Sequence, residues 1–209
     1  MDTCNNHKIA LELFSGSKTV SSFFESLGWN SFSVDINAKF KPTLCKDILQ
    51  VSKNDLPGMI DFFWASPVCK NFSRASKASN WVKNTIKYRV YDYLPITDDS
   101  LKSIKMLEKT IEILSFFRNV PFVIENPIGR IQHTAALKKL GHYRYYVNYF
   151  DFGFPYSKET YLFSNLMLPF STKKITVKAP GLCTVHSEFQ RSKVPERLIA
   201  EIFKYIPYY

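Results

Sequence analysis

Short apolar runs recur along the chain, and each stops at a glycine, a proline or an acid. Lys8 to Phe14 (KIALELF) is rich enough in apolar residues to form a buried first strand, and Ser15-Gly16-Ser17 after it has turn chemistry. From Thr19 to Leu27, apolar residues fall at 20, 23, 24 and 27, the stripe of a helix that Gly28 closes. Asn30 to Asn37 reads as a second strand ending at Asp35, and Leu44 to Leu49 as a short one with Asp47 at its end. Met59 to Ala65 is a fourth run. Pro67 stops it, because proline lacks the amide hydrogen a ladder needs.

The second half continues the alternation. Thr97 or Asp98 caps a helix predicted to reach about Phe117, with apolar positions at 101, 104, 107, 111 and 114. Pro121 to Ile124 is another buried strand, predicted to end at Glu125-Asn126-Pro127. A short helix over Ala135 to Leu140 precedes two β-prone runs, Tyr143 to Phe150 and Glu159 to Phe163, which suit an antiparallel pair across the Gly153–Tyr156 turn. Pro195 opens a last helix through Leu198, Ile199, Ile202 and Phe203. Strands alternating with helices predict an α/β fold with a mostly parallel sheet and helices on both faces. With no linker, repeat or low-complexity segment, residues 1–209 read as one domain.

Composition narrows the setting. At 209 residues and 45% hydrophobic content, the chain can bury a sizeable core. It shows neither a membrane-spanning run nor a signal-peptide pattern, so an intracellular, soluble location is expected. The four cysteines are widely spaced, without a CxxC pair, which argues against a metal site and for thiols in a reducing compartment. The formal charge of +10 suits a polyanion partner or a lysine-rich solvated surface. Between Lys70 and Tyr93, basic residues (Arg74, Lys77, Lys83, Lys87, Arg89) interleave with Phe72, Trp81, Tyr88, Tyr91 and Tyr93, a mixture that suits phosphate contact and base stacking.

Candidate chemistry collects where strands end. Cys69 follows a strand terminus, with Lys70 beside it and Arg74 nearby. A thiol so placed ionises more readily than one in apolar core. The glycine turn at Gly16 and the acid 19 positions later at Asp35 match a nucleotide-like cofactor site, in which the carboxylate binds ribose hydroxyls. In a parallel sheet, Cys69 and Glu125 would face the same edge.

This ordered set resembles the cytosine-5 DNA methyltransferase family, and is most similar to its small viral and phage-type members. Glu12-Leu13-Phe14-Ser15-Gly16 is similar to the family's first motif and Ser66-Pro67-Val68-Cys69 to its Pro-Cys nucleophile motif. Glu125-Asn126 matches the Glu-Asn motif, Gly153 to Thr160 resembles the later basic motif, and Ser192-Lys193-Val194-Pro195 the closing one. The resemblance implies a Rossmann-like class I fold and S-adenosylmethionine as cofactor, bound by Leu13, Phe14, Ser15, Gly16, Asp35, Ile36, Asp47, Ile48, Pro67, Ser192 and Val194. It implies Cys69, Glu125, Asn126 and Lys158 as catalytic residues, and nucleic-acid contacts from Lys70, Ser73, Arg74, Lys77, Lys158 and Thr160, with no metal. Residues 70–96 would be a mobile catalytic loop and 166–191 a much reduced recognition segment. Valine at 68 stands where proline is usual, Tyr156 where glutamine is, and Thr160 where arginine is.

The reaction implied is methyl transfer to carbon 5 of cytosine through a thiolate adduct at carbon 6, with Glu125 engaging ring nitrogen 3. DNA is the expected substrate. RNA of the tRNA type is the alternative, since tRNA-methylating relatives share the same motifs. A catalytically silent nucleic-acid-binding homologue is the rival from another class.

Overall fold

The computed structural model describes residues 8–72, 80–83, 93–173 and 192–207. Its first strand, β1 (Ile9–Leu13), feeds helix α1 (Thr19–Ser26), and β2 (Asn30–Asp35) and a two-residue β3 (Leu44–Cys45) follow. β4 (Phe62–Ala65) precedes a small ribbon, β5 (Trp81–Lys83) and β6 (Tyr93–Pro95). Then come α2 (Asp98–Ser115), β7 (Phe122–Pro127), α3 (Ala135–Lys139), β8 (Tyr143–Asn148), β9 (Glu159–Ser164) and α4 (Glu196–Phe203). The main sheet has the order β3-β2-β1-β4-β7-β9-β8. Its first five strands run parallel, and β9 pairs antiparallel with both β7 and β8.

The central parallel strands β1, β4 and β7 are buried on both faces, as βαβ crossovers require. In β4, Phe62 and Trp64 face a core formed with α1 and α4, including Phe24, Leu198, Ile199 and Ile202. Phe63 and Ala65 face the opposite core, with Leu107, Ile113 and Leu114 of α2. All four of these β4 side chains are fully buried, so a continuous apolar run replaces alternation. Register levels the strand ends: Leu13 pairs with Val34 and Ala65, and Ala65 with Ile124. The chain leaves β1 toward β2 and β3 on one side and returns to β4 on the other. That topological switch point opens a crevice at the carboxyl ends.

Several elements differ from expectation. Asp47 does not end a strand; it caps a short 3-10 turn over Ile48–Gln50, its Oδ1 accepting from Leu49 N at 3.0 Å. β7, in contrast, runs through Glu125 and Asn126 to end at Pro127 as expected, with β9 paired alongside that segment. The buried face of α2 is rotated from the apolar stripe: Ser100, Ser103 and Thr110 are buried, whereas Leu101 is 43% exposed. The hydroxyls of Ser103 and Thr110 bond carbonyls one turn back, so small polar side chains sit against the core without an orphaned donor. The β5–β6 ribbon lies inside a stretch that lacks periodicity. Pro195 stands just before the first turn of α4 rather than within it. No helix among the described residues is long and apolar enough to cross a membrane.

Candidate active site at the carboxyl edge of the sheet

The turn after β1 bends sharply, with Phe14 at φ 58° and Gly16 at φ 44°. Ser15 N donates to Val34 O at 3.1 Å, and Gly16 N donates to Asp35 Oδ2 at 2.8 Å. The other oxygen of Asp35 accepts from Asn37 N at 2.8 Å. Two strand ends are thereby tied into one rim. A Cβ at Gly16 would lie 3.0 Å from Ser192 Cβ, so glycine lets the segment before α4 close onto the turn. Val194 beside it is buried in the core with α1 and α4.

Glu12 points away from the rim to the start of α1, where Lys18 at φ 56° offers no side-chain cap. Its Oε2 accepts from Ser21 N at 2.8 Å and Ser21 Oγ at 2.5 Å. Burial pushes its carboxyl up to about 7, against the lowering effect of the Ser21 bonds. Ile36, in contrast, is 65% exposed directly after Asp35, an apolar side chain left uncovered at the strand end. Ile48 is packed into the core and Asp47 occupies an oxygen in its cap, so neither side chain presents a fully open face at this edge.

On the adjoining strands, Asn126 Nδ2 donates to Pro67 O at 2.7 Å, stitching the β4 and β7 extensions together. Cys69 is half-buried just beyond this stitch, and Val68 is 44% exposed. The turn is pinned from behind. Cys69 O accepts from Phe72 N, and buried Asn71 donates to Asp99 O at 3.0 Å and Ser103 Oγ at 2.9 Å on α2. Asn71 also accepts from Asn80 Nδ2 and, through its carbonyl, from Trp81 Nε1, so it locks the ribbon to the same turn.

Glu125 is 4% exposed, and its Oε1 accepts from Tyr149 OH at 2.9 Å. Lys158 Nζ lies 3.7 Å from the same oxygen and 4.5 Å from the centre of the Tyr149 ring. Burial first, then the neighbouring Glu125 charge, holds the Tyr149 phenol well above its usual range, so it remains a donor. Thr160 is fully buried beside Tyr149 and has no outward face for nucleic acid. It lies on β9, between β7 and β8. Lys70 is exposed, whereas Ser73, Arg74 and Lys77 lie outside the described residues, as do most of the expected loop 70–96 and recognition segment 166–191. Sequence reasoning passed over Tyr149 and Asn71. Tyr149 was one aromatic among several in a β-prone run, and Asn71 one polar residue in an irregular stretch.

Among the described residues, two buried side-chain atoms have no hydrogen-bond partner: Ser15 Oγ and Asn126 Oδ1. Both sit at this carboxyl edge, one in each half of the crevice. Buried polar atoms are seldom left unpaired, so each points to a ligand.

No family model matches the chain. It is 28% identical over 161 residues to a probable DNA (cytosine-5)-methyltransferase of Frog virus 3, covering 75% of this chain and 70% of that protein. Over three quarters of its length the chain is thus similar to a protein named as a cytosine-5 methyltransferase. Its fold is similar to that of the Entamoeba histolytica methyltransferase EhMeth, with TM-score 0.52, 17% identity, and coverage of 82% of this chain and 58% of that one. The Schizosaccharomyces pombe Dnmt2 methyltransferase also aligns, with TM-score 0.49, 18% identity and coverage of 76% and 50%. The chain thus spans about half the length of these two solved structures. The sheet order and the helices on both faces are those of the Rossmann-like methyltransferase fold.

Proposed function

We propose that this chain transfers a methyl group to carbon 5 of cytosine in DNA, through a covalent adduct with Cys69. The observation that carries the reading is the stitch from Asn126 to Pro67, which joins the Glu125 strand to the Cys69 turn at the edge where the β1 turn and Asp35 meet. The name of the viral relative supports cytosine in DNA as the target.

S-adenosylmethionine is the cofactor, and when bound it supplies an electrophilic methyl group. The residues fit it. Ser15 Oγ is an orphaned hydroxyl, Asp35 keeps lone pairs for a ribose, Ile36 offers an apolar face, and Ser192 closes on the turn. Cys69 Sγ, as thiolate, forms a bond to carbon 6, and the ring's electron pair shifts toward carbon 5 and nitrogen 3. Glu125 meets the charge that builds at nitrogen 3 by hydrogen bond or proton donation. After carbon 5 has gained the methyl group, a base removes its proton, the double bond re-forms and the Cys69–carbon 6 bond breaks. A duplex target must leave the stack to reach this crevice.

The test is transfer of labelled methyl from S-adenosylmethionine to matched DNA and RNA containing cytosine. The reading predicts label at carbon 5 of cytosine in DNA. Label in RNA alone transfers the assignment to the tRNA-methylating type, and label in neither overturns it.

A further inference from the structure

We infer that Tyr149 is a positioning residue for Glu125, holding the carboxylate through a neutral hydroxyl. The inference rests on the proposed function and adds to it the device that sets the glutamate's geometry. Tyr149 opens a 3-10 turn directly after β8, in the connection that also carries Lys158. Tyr149 N donates to Lys158 O at 3.1 Å, and Asn148 Oδ1 accepts from Lys158 N at 3.1 Å. The two residues that reach Glu125 therefore arrive as one unit.

The phenol is held as firmly as the backbone. Phe154 packs edge-on to the Tyr149 ring at 5.3 Å, and Lys158 lies over its face. An arginine fork would clamp a carboxylate through two charged hydrogen bonds. A phenol makes one, to Oε1, and leaves Oε2 for the base. Among the described residues, the titratable groups that face Glu125 are Lys158 and Tyr149, with the Tyr156 phenol beyond Tyr149.

Tyr149→Phe tests this, because it removes one oxygen and keeps the packed ring. The expected result is a kcat lower by roughly 10- to 100-fold, the worth of a hydrogen bond to a charged group. Cofactor affinity, nucleic-acid KM and melting temperature should stay near wild type. In a Glu125→Gln background, measured by single-turnover labelling, Tyr149→Phe should add little further loss, since the hydroxyl acts through that carboxylate. Wild-type kcat in Tyr149→Phe, or the same fold loss in both backgrounds, overturns the inference and leaves the proposed function standing. A wild-type protein that methylates no cytosine sinks both.

Discussion

At the scale of single residues, the site divides its labour sharply. In the proposed reaction Cys69 carries the chemistry, while the backbone of Phe72 and the Asn71 side chain hold its turn. Cys69→Ala should therefore abolish methyl transfer while S-adenosylmethionine still binds, as calorimetry with the cofactor alone would show. Gly16 does the reverse, with no side chain and a large geometric role. At φ 44° and 3.0 Å from Ser192 Cβ, an added methyl meets both backbone strain and a close neighbour. Gly16→Ala should cost about 1–2 kcal/mol in denaturant unfolding. It should also weaken cofactor affinity with little change in the turnover of whatever complex forms.

At the scale of elements, strand ends and helix starts decide what each side chain can do. Helix α1 begins at a left-handed Lys18 without a side-chain cap, and Glu12 reaches from β1 to supply the acceptor. Because burial raises that carboxyl from 4.5 to about 7, the folded chain holds its proton more tightly than the unfolded chain does. The stability this contributes is fully present below about 4.5 and is lost as pH rises through about 7. Its size is on the order of 3 kcal/mol. Urea titrations across that window should show the decline, and Glu12→Gln should flatten it. A slope unchanged in Glu12→Gln would assign the titration to another group. The elements also show how far pattern carries. β1, α1, β2 and β4 were legible because each is a local run buried by its own periodicity. The true face of α2 was not, since Ser100, Ser103 and Thr110 look exposed in sequence and become buried by bonding their own helix's carbonyls or cap.

At the scale of the whole molecule, one parallel register gathers residues far apart in sequence. Leu13, Val34, Ala65 and Ile124 sit level across the sheet, so the Gly16 turn, Asp35, Cys69 and Glu125 all emerge on one side. That convergence was foreseeable, because each motif stood at a strand end and crossovers between parallel strands are right-handed. What stayed hidden was how the motifs are braced. The Tyr149–Glu125 and Asn126–Pro67 bonds link residues 24 and 59 positions apart, and the Asn71–Ser103 bond links residues 32 apart. Nothing in the local sequence of either partner announces such a bond.

The central claim is that the Cys69 sulfur bonds to the cytosine ring during transfer, and it can be tested by trapping. Incubation with S-adenosylmethionine and DNA bearing 5-fluorocytosine stops the reaction at the adduct, because fluorine blocks the loss of the carbon-5 proton. Mass spectrometry of the digested complex should find one nucleotide covalently attached at Cys69, and none in Cys69→Ala. Methylation of ordinary cytosine DNA with no adduct trapped at Cys69 would contradict the account.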